Sequence, residues 1–506
     1  MNVHHFLTAN NLILFEVEIL KMEQQVVNPK DFVENLAPSR PTNYTSIKED
    51  TPLVLSDRDG TDGSVQTVFM SSKRRKSSQF HQSFRRFRSA TMTISLLEKP
   101  SIDRNASALL AGWNVTNLIQ GTGILGVPYA VRMGGWASVA SIAVVAMICC
   151  FTGKLLVDCL YEVSKTTGQK KRVRVNYPEV GEAAWPGWGN KIVSLVQVCE
   201  MFGGVIMYIV LLATVFFDIT SGLTPLNTYE WAVVCSVIAL PTVFITRVSI
   251  ISWISMISVF ALMSCILTIL VYCFWEFKHM SISNIPPFEP SYFPVGFGII
   301  VFSYTAHAVF PGVEGCMKEP KKFPRMMNVA FAFAASTKVL LGLLAVMRFG
   351  VDTDQVITVN ITVKVFNTLA SILVVINVLL AFPICMFVVS ETWDTKMLPY
   401  FPHLQKESKY HWFWLVLTRT LLVTLGLFLA VVVPHFGLLM GLVGSFTGSC
   451  LCFVFPCVFH LKLKWKELKW YSVAIRIFVI VFGLIAGGFG LWFSGRELAK
   501  SYAKNN

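Results

Sequence analysis

Asn114, Thr116, Asn117 and Gln120 lead into three glycines, Gly121, Gly123 and Gly126, and then Pro128, all within one apolar stretch. Gly and Pro at that density break a helix, and a break frees backbone N–H and C=O groups from their partners within the helix. N–H groups at the start of the second half favour a carboxylate, by direct bonding and through the helix dipole. Freed carbonyls and the side-chain amides of Asn114 and Asn117 suit an ammonium. Two opposite polar ends fit a zwitterion such as an amino acid, whereas a bare cation or anion needs only one of them. A second apolar stretch has the same character: Ser303, Tyr304, Thr305 and His307 stand beside Pro311-Gly312. The candidate binding residues are therefore Asn114, Thr116, Asn117, Gln120, Gly121, Thr122, Gly123, Ser303, Tyr304, Thr305 and His307. Gly126, Pro128, Pro311 and Gly312 are the hinge candidates. Small residues at such spacing also let membrane helices pack closely. One broken stretch is weak evidence for a site; two polar ones are stronger.

The surrounding elements must be membrane spans. Of the 506 residues, 54% are hydrophobic and only 14% charged, with a mean hydropathy of +0.57. Soluble proteins carry about 25% charged residues, so a soluble enzyme is excluded. Eleven apolar segments run roughly over 111–132, 137–163, 191–217, 229–246, 250–274, 295–316, 326–348, 365–390, 412–433, 436–459 and 474–494. Each is near the ~20 residues that cross hydrocarbon. The tight junction at Pro434–His435 leaves ten as the alternative count. The expected class is an all-α polytopic membrane protein. Residues 1–105, polar and short of apolar periods, form a disordered cytoplasmic tail. Residues 106–475 carry spans one to ten, and 476–506 an eleventh span with a short luminal C-terminus.

The 43 Lys+Arg against 30 Asp+Glu give a net charge of +13. Their placement decides what that surplus means. Lys165, Lys170, Lys171, Arg172 and Arg174 follow span two; Lys318, Lys321, Lys322 and Arg325 follow span six; Lys462, Lys464, Lys466 and Lys469 follow span ten. The intervening loops are poor in basic residues, which sets the N-terminus in the cytosol. Nucleic-acid binding is not expected. The clusters around Lys73–Lys76 and Arg85–Arg88 suit anionic membrane lipid or a solvated run, and Ser77 follows a basophilic kinase pattern. Of the sequons, only Asn360-Ile-Thr lies in a non-cytoplasmic loop, making Asn360 the candidate glycan acceptor. The 12 cysteines lie in or beside apolar runs, with no paired spacing for zinc, so no metal is expected.

The two broken spans are five apart, an odd offset that sets them in opposite orientations. Interrupted segments at matching places in two inverted halves point to a transporter's midplane site. Charge within spans is costly and functional by default. Glu200 lies a third of the way along span three and Lys338 near the middle of span seven. Either Glu200 serves a proton path, or it pairs with Lys338 as a buried tie. Glu314 closes the inner end of span six and gates there through Lys318 or Lys322, or else is simply solvated. Arg419 lies in span nine without an obvious partner. No HExxH pair, in-span acidic cluster or nucleophile elbow points to an enzyme.

The run Gly112-Trp-Asn-Val-Thr-Asn-x-Ile-Gln-Gly followed by Leu125-Gly-x-Pro-Tyr-Ala130 resembles the amino acid/auxin permease family. Cys149-Cys-x-Thr-Gly-Lys154, Arg172-Val-Arg174, Gly298-Ile-Ile-Val-Phe-Ser-Tyr-Thr305 and Val433-Pro-His-Phe-x-Leu-Leu-Met-Gly441 extend the resemblance over about residues 110–475. It implies a leucine-transporter-like 5+5 inverted repeat with one peripheral helix. It also implies proton-driven loading of γ-aminobutyrate and glycine into synaptic vesicles acidified by the vacuolar proton pump, with no cofactor and chloride involvement open. The rival within the fold is a neutral amino acid transporter of lysosome or plasma membrane, coupled to protons or sodium. Two stretches depart from the family pattern. Ala306-His307 stands where Ser-Gln is expected, and Ala381-Phe-Pro-Ile-Cys385 replaces a small, Pro-rich segment.

Overall fold

A computed structural model describes Arg104 and residues 106–163, 168–245, 248–404, 408 and 410–505. The tail expected over 1–105, with its basic clusters and Ser77, lies outside the described residues except for Arg104. Fourteen α-helices follow in chain order, here α1 to α14. They are α1 Ala108–Gln120, α2 Val127–Asp158, α3 Tyr177–Ala184, α4 Gly189–Thr220, α5 Thr228–Val243, α6 Val248–Trp275 and α7 Phe293–Ser303. Then come α8 Phe310–Cys316, α9 Phe323–Phe349, α10 Lys364–Met397, α11 His411–Val432, α12 Phe436–Val443, α13 Phe455–Lys464 and α14 Trp470–Asn505. One antiparallel hairpin, β1 Tyr161–Val163 with β2 Lys170–Arg172, joins α2 to α3.

Three helices begin at side-chain caps. Ser107 accepts from Leu110 N–H at α1, Asn176 from Glu179 N–H at α3, and Asn227 with Glu230 forms a reciprocal capping box at α5. α2 takes in both the second half of span one and most of span two. Gly135, at φ +56°, marks the kink between them, and a Cβ there would lie 2.2 Å from the Pro286 carbonyl oxygen. Eight helical runs among the described residues are long and apolar enough to cross a membrane. The other three apolar segments fall short for physical reasons: α5 has 16 residues, and the first and sixth segments are each interrupted.

Packing sets the broken segments at the centre. α2 and α9 pack together, α2 lies along α7, and α12 and α14 cover α7 from the other side; α10 bridges α4 and α6. Gly444–Val454, between α12 and α13, winds as a π-helix. Two features account for the wide turn. Pro456 lacks an N–H for the preceding turn, and Gly444 must approach closely: its Cβ would lie 2.2 Å from the Gly298 carbonyl oxygen.

Some buried charge is paired across helices. Arg419 on α11 finds its partner in Asp394 on α10, through a two-pronged contact of 3.0 and 2.6 Å, and Trp414 Nε1 donates to the same carboxylate at 2.8 Å. The three basic loops gather at one end of the helical body. There Arg172 donates to the Pro311 carbonyl, Lys464 donates to the Tyr161 carbonyl, and His460 sits 3.4 Å from Asp158. At the opposite end Arg132 donates to the Thr353 carbonyl, Asn367 to Asp218, and Gln355 accepts from Gly437 N–H.

Candidate functional site

α1 stops at Gln120 because Gly121 turns the chain at φ +34°. A buried 3₁₀ turn, Thr122–Gly126, follows, and α2 restarts with Pro128 in its first turn, where a missing N–H costs nothing. The sixth segment breaks in the same manner. α7 ends at Ser303, residues 304–309 leave helical form, and α8 restarts with Pro311 in its first turn. The two breaks abut: a Cβ on Gly123 would lie 3.1 Å from Ser303 Cα. Gly126 faces Met440 of α12 with equally little room.

The polar side chains at this junction divide into spent and unspent groups. Thr116 Oγ1 donates to the Gly112 carbonyl, Ser303 Oγ to Ile300, and Thr305 Oγ1 to Val301, each within its own helix. Thr122 lies against the Tyr208 phenol on α4. Gln120 is fully buried, yet neither its amide oxygen nor its nitrogen has a partner. Asn117 Oδ1 and the Tyr304 hydroxyl are also without one. A buried amide without bonds costs about 1–3 kcal/mol, so its retention at a helix break points to a ligand. Asn114 is half-buried in α1 and makes a polar contact of its own.

Lys338 lies across the junction. From the middle of α9 its Nζ donates to the Ile119 carbonyl at 2.9 Å, the Ser303 carbonyl, and Ser303 Oγ at 3.1 Å. The ammonium also sits 3.6 Å from the Tyr304 ring centroid. Pairing with Glu200 is therefore not what holds it, and no ion pair joins the two among the described residues. Glu200 is buried on α4 with its Oε2 unpartnered.

His307 occupies the second break and is fully buried against Phe310. Its Nε2 is 2.9 Å from Thr152 Oγ1, whose own hydrogen is committed to the Ile148 carbonyl at 2.9 Å. The hydroxyl then accepts from Nε2–H. The thiol of Cys452, in the π-helix, interacts with the same ring.

Both ends of the junction are closed. At the basic end Glu314 does not meet Lys318 or Lys322. Its partners are Arg172, at 3.1 Å, and the Tyr161 hydroxyl, both from the hairpin. Arg172 donates further to the carbonyls of Arg174, Val175 and Pro311. Burial first, then the bond to the Glu314 carboxylate, pushes the Tyr161 phenol up to about 12. Ala106 pairs with the segment after α8, donating to the Cys316 carbonyl and accepting from Lys318 N–H, both at 2.9 Å. At the opposite end the buried turn Ile357–Asn360 packs on the 3₁₀ turn of the first break. Asn360 braces that turn, its amide nitrogen donating to the Asp352 carbonyl and its oxygen accepting from Asp354 N–H.

Sequence reasoning placed the breaks and their residues but missed Tyr161, Arg172, Tyr208 and Thr152. Arg172 and Arg174 were read for their charge and as part of the family resemblance, not for a contact with Glu314.

The family described as "Transmembrane amino acid transporter protein" matches residues 104–495. The "Vesicular inhibitory amino acid transporter" of Xenopus laevis is 33% identical over 422 residues, covering 81% of this chain and 80% of the relative. The human protein of that name is 32% identical over 418 residues, with 81% and 78% covered. The "Vesicular GABA transporter" of Caenorhabditis elegans is 33% identical over 407 residues, with 78% and 80% covered. Among solved structures, "Inward facing conformation of Mhp1" aligns with a TM-score of 0.47 at 14% identity, covering 79% of this chain and 92% of that chain. The chain, a multi-pass membrane protein and not an enzyme, belongs to the transmembrane amino acid transporter family.

Proposed function

We propose that this protein loads small inhibitory amino acids, γ-aminobutyrate and glycine, into acidified vesicles by exchange with protons, alternating access around the junction of the two broken helices. The observation that carries this reading is the junction itself. Two helix breaks abut at Gly123 and Ser303, beside the fully buried Gln120 amide that no protein group satisfies. Such a place suits a substrate with opposite polar ends. The names of the animal relatives support the substrate class and the vesicular address. On this reading the basic end faces the cytosol, where Arg172, Glu314 and Tyr161 form the closed gate, and the vacuolar proton pump supplies the gradient. Glu200, buried without a partner for Oε2, is the candidate proton carrier.

His307 favours one variant of the reading. His307 stands where the family pattern has a different residue, so the substrate range extends to other small neutral amino acids. The plant relative named "Amino acid transporter AVT1D", 26% identical over 413 residues, accords with a broader range. Purified protein in proteoliposomes, given an inside-acidic pH gradient and a panel of labelled amino acids, tests both. Uptake of γ-aminobutyrate and glycine that collapses with the gradient is expected. If no amino acid moves, the reading fails.

A further inference from the structure

An ammonium group has three N–H donors, and at Lys338 all three have protein acceptors. They are the Ile119 carbonyl at 2.9 Å, the Ser303 carbonyl, and Ser303 Oγ at 3.1 Å. The ring of Tyr304, 3.6 Å away, covers another side of the charge. Ile119 lies in the last turn of α1, and Ser303 is the last residue of α7. The ammonium thus rests against the carbonyl ends of the first halves of both broken helices, where the dipoles are negative. None of the carboxylates described lies within ion-pair distance of it. Two backbone carbonyls, a hydroxyl and an aromatic face form a neutral oxygen cage of the kind that takes a monovalent cation in place of its hydration shell.

We propose that the Lys338 ammonium is a built-in monovalent cation, tethered to α9, that fills this cage and holds the two breaks together. No sodium or potassium ion is then needed to assemble the substrate site. The inference rests on the transporter reading above and deepens it. With its three N–H groups committed, Lys338 has none left for a substrate carboxylate. It is a positioning residue: its charge and its grip on Ile119 and Ser303 set the geometry of the junction, and the substrate bonds elsewhere.

Lys338→Ala removes a fragment equivalent to n-propylammonium, and that molecule is the probe. Reconstituted wild-type protein should take up its amino acid equally well in sodium and in N-methylglucamine. In N-methylglucamine the K338A variant should lose about tenfold or more of its uptake, the scale of one charge-assisted hydrogen bond. Sodium or propylammonium should restore it. A second measurement is independent of transport. The melting temperature of detergent-solubilised K338A should rise saturably with sodium or propylammonium, while wild type and K338M, whose apolar chain refills the space without charge, stay put. A K338A protein that folds only with one of these cations present also supports the proposal. Sodium-dependent uptake by wild type overturns it, and so does a K338A protein that neither cation stabilises or rescues, or that folds under no condition. If wild type moves no amino acid, the transport reading fails, yet the melting series still decides the cage.

Discussion

Gln120 and Glu200 show how a residue's burial and its partners separate a site from packing. Gln120 is kept in the interior with both ends of its amide unbonded, a state that costs stability unless a ligand relieves it. Gln120→Leu should therefore raise the unfolding free energy by about 1–3 kcal/mol, while cutting amino acid uptake about tenfold. Denaturant unfolding in detergent, beside proteoliposome uptake, reads both. A loss of stability with uptake retained would mark Gln120 as ordinary packing. Glu200 is buried with its Oε2 unpartnered, and the proposed function makes it the candidate proton carrier. Glu200→Gln should abolish pH-gradient-driven uptake yet leave substrate exchange between the two sides of the membrane, and retained coupling would exclude that role. These residue types and positions were legible in the sequence because charge and amides are rare within apolar spans. Their partners were not. A one-dimensional pattern cannot tell a Thr116 hydroxyl that bonds back to its own helix from one that faces a ligand, nor that Lys338 reaches two backbone carbonyls instead of Glu200.

At the scale of elements, the hairpin of β1 and β2 is the part the sequence concealed most. Its five basic neighbours read as a topological signal, and its strands are three residues each, too short for a visible alternation. Packed against α8, however, the hairpin buries Arg172 with Glu314 and lays Tyr161 on the same carboxylate. Removing one partner of a buried pair leaves the other charge uncompensated, a penalty of about 3–5 kcal/mol. Arg172→Ala should thus speed hydrogen exchange of the amides over 161–172 and 310–316, with helices away from this end unchanged. Unchanged exchange there would show that the hairpin does not latch the gate. The pH dependence has a definite sign. Tyr161 goes from 10.0 to about 12 on folding, so its share of the latch is intact below pH 10.0 and is lost as pH rises through about 12. Hairpin protection should show no titration from Tyr161 at neutral pH and should fall under strong alkali. The breaks in the first and sixth segments were the opposite case, fully legible, because Gly and Pro announce themselves by type alone.

Across the whole molecule, the distribution of charge that was read along the chain becomes a property of two faces. The loops after spans two, six and ten lie far apart in sequence, yet Arg172 touches Pro311 and Lys464 touches Tyr161, so all three share one end. At the other, the loop holding Thr353 and Gln355 meets the C-terminal end of α4 at Asp218, and Arg132 is bonded inward to a carbonyl. A body with its basic loops on one face inserts with that face toward the cytosol. Ala106 pairs with the strand-like segment after α8 on that same face. The C-terminal helix α14, by contrast, starts beside the basic loop at Trp470 and runs away from it for 36 residues. At ~1.5 Å per residue it is more than long enough to cross ~30 Å of hydrocarbon. On the reading proposed above, the two termini are expected on opposite sides. On intact, sealed vesicles, external protease should remove an epitope placed at the N-terminus and spare one placed after Asn506, until detergent opens the membrane. Cleavage of both epitopes without detergent would mean that α14 does not cross, and would return the count of spans to an even number.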